Sequence, residues 1–483
     1  MKTAKMRILC DICFFVSLMV KVFSLGVTYH PILDDYIQYG GYPLYEKLSH
    51  VYLNIGTIAT RPVAALLDPL LWGRFYPDLW IALLIISVAF FIGVKLIASV
   101  LERTGIFATP FLYAIVLLIP LGFEGTYWIS ASSRICVGLF FTGLAASLLL
   151  KIITQNKNIL FIPYMVLTLI SFGFYESVMV FSAFLQFIVI ISFIKSTKGR
   201  IAYLITPVML GILMLVYYKL AQNIGAMGSR ASTFDLSAVI PNIKELVTQF
   251  YEIVVSGGIK TTLLGAIEGV KITTSLSYGT VLILLIVALS AGCAYFGANS
   301  PIVAKAKYCI PIGLGFTFIP LIPNLLTETV WLTYRSIVPC LFGMVIISAS
   351  ILSFFLKNKK VRTVVIFLMV FTFMLGNISE LDTYKRVSEN DNVLVTQVTE
   401  QLDTEVLSGE KDAIVVIPQE SAAPQVSYYK DHVKSVFDSD WALTGAVRAK
   451  TRNIKIKMIT PVLSLEGVDT QGKQIIYLGG NNG

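Results

Sequence analysis

Residues 8–35 read ILCDICFFVSLMVKVFSLGVTYHPILDD: an apolar run, a turn at Tyr29-His30-Pro31, then the adjacent carboxylates Asp34 and Asp35. The run 8–28 is long enough to cross a bilayer, which takes roughly 20 residues of helix. A basic start at Lys2, Lys5 and Arg7 with no small-residue cleavage site reads as a retained signal-anchor rather than a removed signal peptide. Charge at a membrane boundary in an otherwise apolar chain marks a functional site by default.

The rest of the chain agrees with that beginning. Hydrophobic residues make up 56% of it and charged residues only 14%, with a mean hydropathy of +0.76. This is the composition of an integral membrane protein, not of a soluble enzyme. The formal charge of +9 does not point to nucleic acid, because the basic residues fall in short turns between apolar spans. We read eleven spans, at 8–28, 78–98, 106–122, 135–153, 158–173, 177–194, 201–220, 277–297, 308–323, 337–356 and 361–377. With the N-terminus in the cytoplasm, Arg103, Lys151, Lys157, Lys195, Lys198, Arg200, Lys305, Lys307, Lys357, Lys359, Lys360 and Arg362 all fall inside. The outer side then receives Asp34, Asp35, Glu46, Asp68, Asp78, Glu124, Glu176 and Glu328.

The expected architecture is an α-helical polytopic membrane domain over 1–377, with outer loops at 29–77 and 221–276. A small extracytoplasmic α/β domain follows over 378–483. In the first loop, Arg61-Pro62 and the apolar run 63–72 suggest a helix lying at the interface. The second loop contains a weakly amphipathic stretch at 240–255. The tail offers a helical pattern at 380–402 and short strand patterns at 413–418, 433–437, 454–459 and 475–478.

Three groups of outer residues carry chemistry. Asp34 or Asp35 can take a proton from an attacking hydroxyl, or the pair can hold a divalent cation such as Mg or Mn through its oxygens. The alternative is a helix cap ahead of Tyr36-Ile37-Gln38-Tyr39. The segment 123–134 holds Glu124, Tyr127, Trp128, several hydroxyls and Arg134. Aromatic faces and hydroxyls suit a sugar, and an arginine fork suits phosphate, although Tyr and Trp also mark membrane interfaces. Glu176 interrupts two apolar spans, where it can bind a substrate hydroxyl or pair with an arginine. Arg61 and Arg335 are candidates for a lipid-linked phosphate, with snorkelling as the alternative.

Other chemistries find no support. The chain has no Walker loop, dinucleotide fingerprint, HExxH or GxSxG. Its three histidines are His30, His50 and His432, and His30 before Pro31 reads better as a turn residue than as a partner for Asp34. Cys10-Asp11-Ile12-Cys13 spells CxxC, but no second ligand pair accompanies it.

The order of these features resembles the GT-C superfamily of membrane glycosyltransferases. In particular, His30-Pro31-Ile32-Leu33-Asp34-Asp35, the Arg61-Pro62 region and Tyr127-Trp128-Ile129-Ser130 resemble glucosyltransferase family II, bacterial enzymes that decorate O-antigen-like surface polymers. The resemblance covers residues 1 to about 377 and leaves the C-terminal domain aside. It implies a polyprenyl-phosphate sugar as donor, transfer on the outer face of a bacterial cytoplasmic membrane, and Asp34 or Asp35 as the essential acid. The acceptor is then a surface polysaccharide or another envelope molecule, the remaining partner is membrane lipid, and nucleic acid plays no part. Roles for Glu124, Glu176 and Arg335 rest on sidedness alone. A transporter or flippase of a lipid-linked saccharide would need the same arginines, and a non-catalytic envelope scaffold would use the outer domain.

Overall fold

The computed structural model describes residues 2–106, 109–223, 239–299, 306–326, 330–417 and 433–478. Lys305, Glu328, Pro418, His432 and the stretch 224–238 of the second outer loop lie outside the described residues. The chain is a multi-pass α-helical membrane protein. Among the described residues, eight helices are long and apolar enough to cross a bilayer. They are Trp80–Arg103, Ile129–Gln155, Glu176–Phe193, Thr197–Ala221, Val239–Ser275, Gly279–Gly297, Tyr334–Ile351 and Lys359–Glu400. A bent pair, Thr109–Leu117 and Pro120–Tyr127, passes the same test together, with an angle of 56° between its halves.

This set departs from the sequence reading in four stretches. The first helix, α1 (Lys2–Phe23), is not among the eight. It carries Asp11 and Lys21 within its apolar run, each with a partner: Asp11 pairs with Lys95 at 2.7 Å, and the Lys21 ammonium donates to the Leu117 carbonyl at 3.0 Å. The expected spans at 158–173 and 308–323 fall on apolar helices shorter than a crossing, Asn158–Phe172 and Cys309–Leu325. Conversely, Val239–Ser275, expected as part of an outer loop, is a 37-residue helix apolar enough to cross. One of its faces is small and buried, with Gly258, Thr261, Gly265, Gly269 and Thr273 in sequence along it. A Cβ on Gly269 would stand 1.9 Å from the Leu375 carbonyl oxygen, so only glycine lets the two backbones come so close. Lys260 and Lys271 lie on the exposed face, and their charge hides the helix from a hydropathy reading.

Two compact units emerge. The first comprises residues 1–26, 57–64 and 83–380; the second comprises 27–56, 65–82 and 381–483.

The second unit is built on a three-stranded parallel sheet, β1 (Ala413–Val416), β2 (Ile459–Val462) and β3 (Gln474–Tyr477), in the order β2-β1-β3. Ala413 stands opposite both Ile459 and Gln474. The central strand reads AIVV and is buried along most of its length, as a parallel strand covered on both faces requires, while the outer strands ITPV and QIIY are only half-buried. Between β1 and β2 the chain crosses over through the helix Asp440–Thr451, whose Leu443 and Val447 share a buried core with Val415, Ile459 and Ile476. The expected strand at 433–437 is instead a tight turn closed by a capping box. Ser435 Oγ accepts from the Phe437 N–H at 3.1 Å, and Asp438 accepts from the Ser435 N–H at 2.9 Å. The pattern at 454–459 becomes strand only from Ile459.

The segment carrying Asp34 and Asp35 belongs to this same unit. Leu33 and Tyr36 pack against its core. The following turn meets Asp440–Thr451 at two small residues. A Cβ on Gly445 would lie 2.3 Å from Ile37, and one on Gly40 would lie 2.5 Å from Ala449.

Candidate active site

In the second unit, Pro31 to Tyr36 forms a tight turn. Leu33 adopts a φ of +42°, and the N–H groups of Asp35 and Tyr36 donate back to the carbonyls of Ile32 and Leu33 at 3.0 and 3.3 Å. A left-handed conformation is uncommon for a leucine, and it sets the two acids on different courses. Asp35 is fully buried, and its Oδ2 accepts from Tyr29 Oη at 2.5 Å and from the Ile32 N–H at 3.1 Å. Its backbone is already helical, and its side chain caps nothing, so the helix-cap alternative fails. Asp34 is half-buried. Among the described residues its carboxylate has no hydrogen bond or ion pair. His30, four residues before Asp34, is buried; burial, together with the charge of Lys385, lowers its pKa from 6.5 to about 4, so the ring is neutral at pH 7.

Two arginine–glutamate pairs stand in the first unit. Arg61, just ahead of the helix Pro62–Leu70, clasps Glu176, the first residue of Glu176–Phe193. Nε donates to both carboxylate oxygens at 3.1 and 3.3 Å, and Nη2 donates to Oε2 at 3.1 Å. The guanidinium lies 4.2 Å from the centre of the Tyr175 ring. A backbone bond from the Val63 N–H to the Gly173 carbonyl, 3.0 Å, ties the same two segments. The residue proposed for phosphate and the one proposed for substrate thus occupy each other.

The second pair is looser. Arg335 is the second residue of Tyr334–Ile351, and its Nε stands 3.9 Å from Glu124 Oε1. Two tryptophans flank its guanidinium, with ring centres 5.2 Å (Trp128) and 5.8 Å (Trp331) away. Trp331 is 60% exposed, whereas Trp128 is buried and its indole N–H finds no partner among the described residues. Gly125 makes this approach possible, since a Cβ there would lie 2.7 Å from Val338 and 3.0 Å from Arg335 Cα. Neither Gly125 nor Trp331 was a candidate in the sequence reading. A Trp four residues before an arginine was the available signal for Trp331, while the role of Gly125 depends on a partner more than two hundred residues away.

The remaining candidates lie deeper. Tyr127 is fully buried and stacks on Phe123 with ring centres 4.9 Å apart, so it serves packing and cannot present its face to a sugar. Arg134, on Ile129–Gln155, donates from Nη1 to the Ser130 carbonyl of its own helix. Among the described residues no three His, Cys, Asp or Glu side chains are grouped to hold a metal ion. With Asp35 Oδ2 already accepting from Tyr29 and Ile32, Asp34 and Asp35 are a poor fit to a bridging divalent cation.

Comparison with protein-family models, with known proteins and with solved structures finds no match to this chain.

Proposed function

We propose that the protein is a GT-C-like glycosyltransferase that moves a sugar, glucose in the closest resemblance, from a polyprenyl-phosphate donor to an envelope acceptor. It works on the outer face of a bacterial cytoplasmic membrane, with the N-terminus inside and the C-terminal α/β domain outside. Asp34 carries this reading: a half-buried carboxylate with no hydrogen bond or ion pair among the described residues, next to a buried twin that accepts from Tyr29 and Ile32. Asp34 accepts the proton of the acceptor hydroxyl. The hydroxyl oxygen bonds to the anomeric carbon, the bond from that carbon to phosphate oxygen breaks, and polyprenyl phosphate leaves with the electron pair. Asp35 positions the turn. Within the first unit, Arg335 is the candidate for the donor phosphate, since its Nε stands 3.9 Å from Glu124 and two tryptophans lie beside its planar fork.

One observation favours transport instead. A broken helix with buried polar residues at the break is where transporters bind their cargo, and the pair Thr109–Leu117 and Pro120–Tyr127 is such a break. Here, however, the carbonyls at the break are taken by the protein's own side chains, which supports a fixed bend over a cargo site.

The test is purified protein in lipid with radiolabelled polyprenyl-phosphate glucose and a surface-polysaccharide extract, with and without a chelator. Label joined to polysaccharide by wild type, and by neither Asp34→Asn nor Asp35→Asn at equal abundance, supports the proposal. Movement of the donor across the bilayer without any transfer, over a panel of sugars and acceptors, would move the assignment to transport.

A further inference from the structure

A lysine and an asparagine in the apolar interior are used by no step above. Lys21 lies in α1 and is 1% exposed. Its ammonium donates to the Leu117 carbonyl at 3.0 Å and to Thr126 Oγ1 at 2.9 Å, and sits 5.6 Å from the centre of the Phe123 ring. Asn377, fully buried in the helix Lys359–Glu400, donates from Nδ2 to the Leu118 carbonyl at 2.5 Å. The two side chains come from helices far apart in sequence and take consecutive carbonyls.

Those carbonyls lie where the bent pair breaks. Pro120 has no N–H to continue the helical ladder, so the chain turns by 56° there and strands backbone acceptors in an apolar surrounding. A stranded carbonyl in an apolar surrounding is costly, and a lone ammonium costs more. Each supplies what the other lacks, and buried Glu380 adds a favourable opposite charge. Thr126 extends the bond across the bend, since its Oγ1 also donates to the Gly122 carbonyl at 2.9 Å within Pro120–Tyr127.

We infer that Lys21 and Asn377 are positioning residues that lock the bend and thereby hold Glu124 and Trp128 against Arg335. The inference builds on the reading of Arg335 as the phosphate-binding group. Glu124 and Trp128 follow the bend by only a few residues, and a change of bend angle carries both away from Arg335. A shift of about 1 Å in a positioning element can cost up to about 100-fold in rate.

The test uses the full chain in lipid nanodiscs, labelled with 5-fluorotryptophan, with the Trp128 resonance assigned by Trp128→Phe. Lys21→Met and Asn377→Leu are expected to shift or broaden the Trp128 resonance and leave that of Trp441 unmoved. Lys21→Arg, which keeps the donor and its charge, is expected to restore it. In the transfer assay the same two variants raise the donor KM about tenfold and change kcat less than about threefold, and Lys21→Arg recovers the KM. An unmoved Trp128 resonance in both Lys21→Met and Asn377→Leu would overturn the inference. If Lys21→Met also loses the Trp441 resonance, the chain has failed to fold and Thr126→Val is judged by the same criterion. Absence of transfer by wild type would count against the proposed function, while the fluorine resonances would still decide the role of Lys21.

Discussion

Arg61–Glu176 and Arg335–Glu124 have the same composition and different states. The first pair is joined by three hydrogen bonds over an aromatic ring. The second is held apart at 3.9 Å between two indoles. A guanidinium whose fork already meets a carboxylate has little to offer a phosphate, and one whose fork does not keeps its donors for a ligand. Arg61 ties two segments together, and Arg335 is the fork we propose for the donor phosphate. The acid turn repeats the contrast, with Asp35 tied down and Asp34 open.

Substitution should break this contrast in opposite ways. Arg335→Gln removes the open fork and is expected to lower transfer, read as kcat/KM for the donor, by about 30–100-fold, from about 2–3 kcal/mol of charge-assisted hydrogen bonding. The melting temperature should barely move. Arg61→Gln should do the reverse, costing about 1–2 kcal/mol of stability, discounted because both side chains are about a third exposed. Its transfer rate should stay within about twofold once folded. The exchange Arg61→Glu with Glu176→Arg should recover that stability, whereas Arg335→Glu with Glu124→Arg should not recover transfer.

His30 sharpens the tied side of the acid turn through pH. Its folded pKa, about 4, lies below its ordinary 6.5, so the unfolded chain binds a proton that the folded chain refuses. Stability is intact above about pH 6.5 and is lost as the pH falls toward 4, by about 1 kcal/mol near pH 5.5. Melting curves recorded from pH 7 to 5 should show the fall in wild type and a flatter profile in His30→Asn. The smallest effect belongs to Trp331→Ala. An exposed cation–π contact is worth about 0.5–1 kcal/mol, so the donor KM should rise about two- to fivefold, and an unchanged KM would leave Trp128 as the sole aromatic contributor.

Much of this was legible in the sequence, and the failures have physical causes. Trp80–Arg103, Ile129–Gln155 and Gly279–Gly297 each hold a long, strongly apolar window, so composition alone finds them. Val239–Ser275 escaped because its buried face is made of glycine and threonine, while lysines occupy the other face. Lys21 passed as part of an apolar span, since the carbonyls it serves arise from a break at Pro120 that hydropathy does not register. Arg61 and Glu176 were each singled out as ligand-binding, but they lie 115 residues apart, and no local pattern reports that they meet. The Ser435–Asp438 capping box was readable, and the apolar run around it outweighed it.

The central claim is that Asp34 is the base of a lipid-dependent sugar transfer. The most direct test measures donor binding and label transfer together for Asp34→Asn in lipid nanodiscs. The account predicts donor affinity within about twofold of wild type and transfer reduced about 100- to 10,000-fold, the range for removal of a general base. Undiminished transfer by Asp34→Asn would contradict it.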